Sequence, residues 1–148
     1  MALDRSYVAK NEAERRRLEA LVGKLDDAAL ARPMEAGWTV AGVLGHLAFW
    51  DQRIVVLADL LQRDQAVPVE QAHDVDWIND ATKPLLLAMP VRRLAELSLT
   101  IAAAADRAVE GLSDAQLEKN AAIGTPINVV RAEHRREHLD EIDRLFAR

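Results

Sequence analysis

The segment Glu133-His134-Arg135-Arg136-Glu137-His138 sets two imidazoles four residues apart. On an α-helix that spacing turns the chain by about 400°, which leaves the rings roughly 40° from each other on one face. Two such rings can reach one ion, and imidazole suits zinc, nickel, copper and iron alike. The spacing alone also fits ordinary surface histidines, so position has to add weight. Both residues fall on a stripe with Ile127, Val130, Ile142 and Leu145, where a polar ring needs a partner or carries a desolvation cost. His46 poses the same problem in Val43-Leu44-Gly45-His46-Leu47-Ala48-Phe49-Trp50, a segment otherwise apolar. Alone it reads as a core histidine bonded to a carbonyl; three inward-facing imidazoles are harder to satisfy separately than through one shared cation. The fourth histidine, His73, stands beside Asp74 and Asp76 with no stripe to place it, and reads as a loop residue.

Four amphipathic helices would position these side chains. Val8, Leu18, Leu21, Val22 and Leu25 recur mostly at three or four residues over Asp4 to Leu25, the mark of a helix with one apolar face. The adjacent Arg15, Arg16 and Arg17 fan around that helix among Glu12, Glu14 and Glu19, and read as a solvated face. Asp26 to Trp38, with Pro33 and Gly37, reads as a connection, and Thr39 can cap a long helix over about Val40 to Arg63. Gln65 to Asp74 lacks periodicity and reads as a crossover before a short helix around Val75 to Leu87. Pro90 can open the next helix, with Ala102 to Ala105 allowing close approach and Gly111 near its end. After a polar connection with Gly124, Pro126 can start the last helix. No segment alternates as a strand does, and no repeat recurs at a fixed period. An all-α four-helix bundle with a further short helix between the second and third is the expected architecture.

With 148 residues, 50% hydrophobic and 29% charged, the chain suits one globular domain, 1–148. The net charge of -5 disfavours nucleic-acid binding, which depends on clustered Lys and Arg. There is no cysteine, so disulfides, thiolate ligands and a nucleophilic Cys are excluded, and any thiol chemistry must import its sulfur. The N-terminal residues lack a signal-like apolar stretch, and no run of about 18 apolar residues is seen. A cytoplasmic protein with no membrane contact is expected.

Gly37-Trp38-Thr39-Val40, Leu44-Gly45-His46-Leu47, Asp76-Trp77-Ile78-Asn79 and Glu133-His134-x-x-Glu137-His138-Leu139-x-x-Ile142 together resemble the DinB-like four-helix superfamily. That superfamily includes bacillithiol and mycothiol S-transferases, and the resemblance spans nearly the whole chain in order and spacing. It implies a bundle with one long crossover between its second and third helices. It also implies one metal ligand from the second helix and two from the last, at the positions of His46, His134 and His138, with Zn²⁺ or Ni²⁺ the leading ions and iron, manganese or cobalt as alternatives. A homodimer is expected from it too. Mycothiol-dependent maleylpyruvate isomerases carry an additional domain that this chain, ending at Arg148, does not show, so that particular activity is not expected.

Three neutral imidazoles would leave a divalent ion its full charge and an open coordination position, as in catalytic zinc sites. Water placed there becomes a hydroxide for hydrolysis, and an external thiol becomes a nucleophile. A thiol-dependent S-transferase acting on small electrophiles is the leading expectation. A metal-dependent hydrolase comes next, then a non-catalytic metal- or ligand-binding bundle. Asn79, Glu137 and Asp51 are candidates to hold the outer nitrogens of the ligating rings. Trp38, Trp50 and Trp77 are candidates to wall the pocket, with core packing the alternative for each.

Overall fold

The computed structural model describes residues 2–70 and 73–148. Among them the chain forms seven α-helices: α1 Tyr7–Lys24, α2 Asp27–Leu30, α3 Val40–Gln62, α4 Asp74–Leu87, α5 Val91–Glu110, α6 Asp114–Ala122 and α7 Ala132–Phe146. The Glu35–Gly37 stretch adds a 3₁₀ turn, and an isolated β-bridge joins Pro33 to Thr39. The helix α3 begins where Thr39 Oγ1 accepts the Gly42 N–H at 3.0 Å, as its capping chemistry predicts. Every residue from Val40 to Ala48 is buried. By length and mean hydropathy α3 could cross a bilayer, which the sequence reading did not anticipate, but 61% of its apolar window is buried inside the protein. It is the core helix of the bundle.

The four long helices α1, α3, α5 and α7 enclose two apolar clusters. One gathers Leu18, Leu30, Leu44, Leu94, Leu139 and Ile142; the other gathers Tyr7, Ile54, Leu57, Leu61, Val109 and Ile127. The order in which each helix meets the clusters fixes its direction. The helices α3 and α5 run one way and α1 runs the other, with α7 entering at Ala132 near the second cluster and ending in the first. Parallel α3 and α5 require the long crossover, and 63–90, carrying α4 against α3, supplies it. Two residues of the expected crossover, 71 and 72, lie outside the described residues. The α3–α5 contact is the most extensive and is close: a Cβ on Gly45 would sit 2.7 Å from Leu94 Cδ2. Ala95, Ala102 and Ala105 are wholly buried.

The chain between α5 and α7 differs from the expected polar connection leading to a helix at Pro126. The helix α6 fills much of it, opened by a reciprocal capping box between Ser113 and Gln116. Gly124 (φ 96°) and Thr125 (φ 54°) then turn the chain through the left-handed region. Asn120 clasps the next strand of backbone, donating to Ile127 O at 2.9 Å and accepting from Ile127 N at 3.0 Å. The last helix therefore starts at Ala132, and Ile127 and Val130 reach the core from a loop rather than from the histidine stripe. Asn11 of α1 caps that start: its Oδ1 accepts from Ala132 N at 2.9 Å and its Nδ2 donates to Val129 O at 2.8 Å.

The arginine run is also corrected. Arg16 is exposed beside Glu12, but Arg17 reaches across to Asp140 and Asp143 of α7, and Arg15 turns inward to Asp106.

Candidate metal centre

α3 and α7 share a far smaller contact than α3 and α5. Between α3 and α7, bordered also by α4 and by the segment around Glu35, lies a cavity of about 1310 Å³. His46 enters it from α3; His134 and His138 enter from α7, one turn apart as the spacing requires. One nitrogen from each of the three lies within 4.8 Å of the others. The Nε2 atoms of His46 and His134 are 3.1 Å apart, and the three ring centroids are separated by 4.8–5.0 Å with steep interplanar angles. Two nitrogens about 2.0–2.1 Å from a tetrahedral zinc would be roughly 3.4 Å apart; the His46 and His134 atoms are slightly closer than that, and the three nitrogens together span no more than 4.8 Å. The sequence reading of this triad is the part that the geometry brings together.

The protonation of two of the rings, His46 and His134, suits ligation. Burial pushes the His46 pKa down to about 4, aided by neighbouring His138. Burial pushes His134 down to about 3, helped in turn by His138, His46, Arg131 and Arg135. Neutral imidazole is the form that binds a cation. The His46 Nδ1 is buried with no partner among the described residues, and the Trp38 ring meets His46 edge-on at 5.8 Å between centroids.

The residues expected around the ligands are distributed differently. Asp51 does not hold a histidine. Its two oxygens face Arg131 Nε at 2.9 Å and Arg135 Nη2 at 3.2 Å, because two buried guanidinium groups claim it. Glu137 opens onto the cavity but is exposed; the carboxylate on His138 Nδ1 is Glu141, at 3.0 Å. Sequence reasoning missed Glu141, although three residues on a helix bring it beside His138. Asn79 lines the cavity and accepts the Trp50 indole N–H at 2.8 Å. Trp38 and Trp50 line the cavity, whereas Trp77 is 59% exposed and bonds Asp74. His73 is likewise exposed, 3.4 Å from Asp74 and away from the triad.

Sequence reasoning also missed the buried charges beneath the triad. Arg135, 1% exposed, meets Asp106 at 2.7 and 3.0 Å and Asp51 at 3.2 Å. Arg131 joins at Asp51 and Arg15 at Asp106.

Compared with known proteins, the chain matches one family model, described as Mycothiol maleylpyruvate isomerase N-terminal domain, over residues 12–142. No curated protein and no solved structure matches it.

Proposed function

The chain belongs to the mycothiol maleylpyruvate isomerase N-terminal domain family, within the DinB-like superfamily, and from that premise we propose that it is a metal-dependent thiol S-transferase. The family relates it to mycothiol-linked enzymes. The observation that carries the reading is the cradle itself: three imidazole nitrogens within 4.8 Å on the wall of an open cavity. The donor set fits a zinc- or nickel-like ion, being all-nitrogen and mostly buried, with no carboxylate to lower the site's charge. A divalent ion held there would supply Lewis acidity, which favours the ionised form of a bound thiol or water.

This chain's residues do the rest. His46, His134 and His138 orient their nitrogens to one point, and Glu141 fixes the tautomer of His138 by accepting from Nδ1, leaving Nε2 for the ion. The Trp38 and Trp50 rings border the cavity in which the electrophile is held. The step itself is an addition. The thiol sulfur forms a bond to an electrophilic double-bonded carbon, and the electron pair of that double bond takes a proton at the neighbouring carbon in place of the one lost from the thiol. No other reagent is consumed. The absence of cysteine means that the sulfur comes from a small thiol in solution. Hydrolysis by activated water is the second reading, since the same cradle serves it.

Protein purified without a nickel column should carry about one divalent ion per chain by elemental analysis, and His46→Ala and His134→Ala should each lose it. Wild-type protein that neither contains nor takes up Zn²⁺ or Ni²⁺ would overturn the proposal. Given metal, conjugation of a test electrophile should require added thiol; turnover unchanged without thiol would favour the hydrolase.

A further inference from the structure

Trp50 holds two polar side chains of the cavity wall. Its indole N–H, which can only donate, points at Asn79 Oδ1 at 2.8 Å. That contact settles which way the Asn79 amide faces: the oxygen is committed to Trp50, so the NH₂ end is left as a pure donor. No protein acceptor for this NH₂ is found among the described residues, and Asn79 lines the same cavity as the triad. The other side chain is Arg53, whose guanidinium lies 5.6 Å from the Trp50 ring centroid. Glu70 already faces Arg53 at 3.4 Å.

The charge of the cavity decides what such a donor would meet. Seven carboxylate side chains line it against five Lys and Arg, and a divalent ion at the triad would at most balance that excess. Asp76 and Asp80 stand on α4 beside Asn79. Those carboxylates would repel an anionic group approaching Asn79 far more than an uncharged oxygen acceptor. We infer that Asn79, held by Trp50, donates its side-chain NH₂ to an uncharged carbonyl oxygen of the substrate, making it a specificity-determining residue. A donor of this kind rejects an analogue that lacks the oxygen, because the amide is then desolvated without a partner. The inference rests on the metal reading above, which supplies the anchor for the test.

The test titrates Ni²⁺-loaded protein with methyl 3-mercaptopropionate, 3-mercaptopropionate and 1-butanethiol, and follows the sulfur-to-nickel absorption band. The ester should bind about tenfold more tightly than 1-butanethiol, the advantage of one well-made hydrogen bond, and the acid should gain no such advantage. In Asn79→Asp the carboxylate still accepts the Trp50 N–H but no longer donates, so the ester advantage should fall to about one. Asn79→Leu should behave alike, with circular dichroism confirming that both variants keep their helices. An ester advantage that persists in Asn79→Asp overturns the inference and leaves Asn79 as a structural partner of Trp50. Tightest binding by the acid overturns the uncharged class. A band with no preference for the ester overturns this inference alone, while a wild-type protein with no band at all overturns the metal reading and this one with it.

Discussion

Among the described residues, His138 is the one imidazole of the three with a carboxylate on its outer nitrogen, Glu141 at 3.0 Å, while the outer nitrogen of His46 is buried with no partner among them. Such outer partners typically govern metal affinity by 10–100-fold. Glu141→Ala should therefore weaken Zn²⁺ binding by roughly tenfold or more, measured by competition with a chelating dye. The rings also set a pH dependence. His46 and His134 stay neutral in the native protein down to about 4 and about 3, but in the unfolded chain they take up protons near the ordinary value of about 6.5. The unfolded state thus binds more protons between those limits, so stability falls as the pH falls from about 6.5 towards 4. The slope approaches about 1.4 kcal/mol per pH unit for each ring. Urea titrations of EDTA-treated protein at several pH values should show this, and His134→Gln should flatten it. An unchanged slope in that variant would mean that burial does not hold the ring neutral.

The elements explain what could be read in advance. The helices α1, α3, α4 and α5 fall within a few residues of expectation, because the helical spacing of apolar residues is a local property of the sequence. The triad was legible in part for the same reason: helical spacing joins His134 to His138, but only the family resemblance tied His46 to them. The start of α7 was not legible. Pro126 and Ile127 look like a helix opening, yet two asparagines distant in sequence, Asn11 and Asn120, hold that backbone instead. The capping box at Ser113 and Gln116 was a signal for α6 that could have been found. Asn11 is the sharper case, since it is 1% exposed and holds the helix that carries two histidines of the triad. Asn11→Leu should cost about 2–3 kcal/mol in chemical denaturation, because it strands the Ala132 N–H and the Val129 carbonyl. Asn11→Asp keeps the acceptor for Ala132 and should cost less. Equal losses would mean that the side chain acts through volume alone.

Across the whole molecule, one polar layer divides the two apolar clusters. Each long helix contributes to it at the point between its cluster residues: Asn11 and Arg15 from α1, Asp51 from α3, Asp106 from α5, and Arg135 from α7, with Arg131 just ahead of it. Sequence patterning hides this layer, because isolated charges between apolar positions look like solvent-facing residues until the helices are packed. Burial works against the charge on Arg135, yet Asp106 and Asp51 outweigh it and its pKa is raised. Three arginines and two aspartates share the layer, so the two kinds of deletion are not equivalent. Arg135→Met leaves each aspartate one guanidinium, Asp51 with Arg131 and Asp106 with Arg15. Asp106→Ala leaves Arg135 sharing Asp51 with Arg131 and takes from Arg15 its buried partner. Removing one partner of a buried pair costs about 3–5 kcal/mol, so Asp106→Ala should lose that much in denaturant titrations and Arg135→Met clearly less. The double variant should recover part of the loss, with a coupling of at least about 1 kcal/mol between positions in direct contact. Because His134 sits between Arg131 and Arg135 on α7, the same layer fixes the register of that helix against α3. Folded Arg135→Met should consequently bind Zn²⁺ more weakly than wild type; unchanged affinity would show that the cradle keeps its register without the layer.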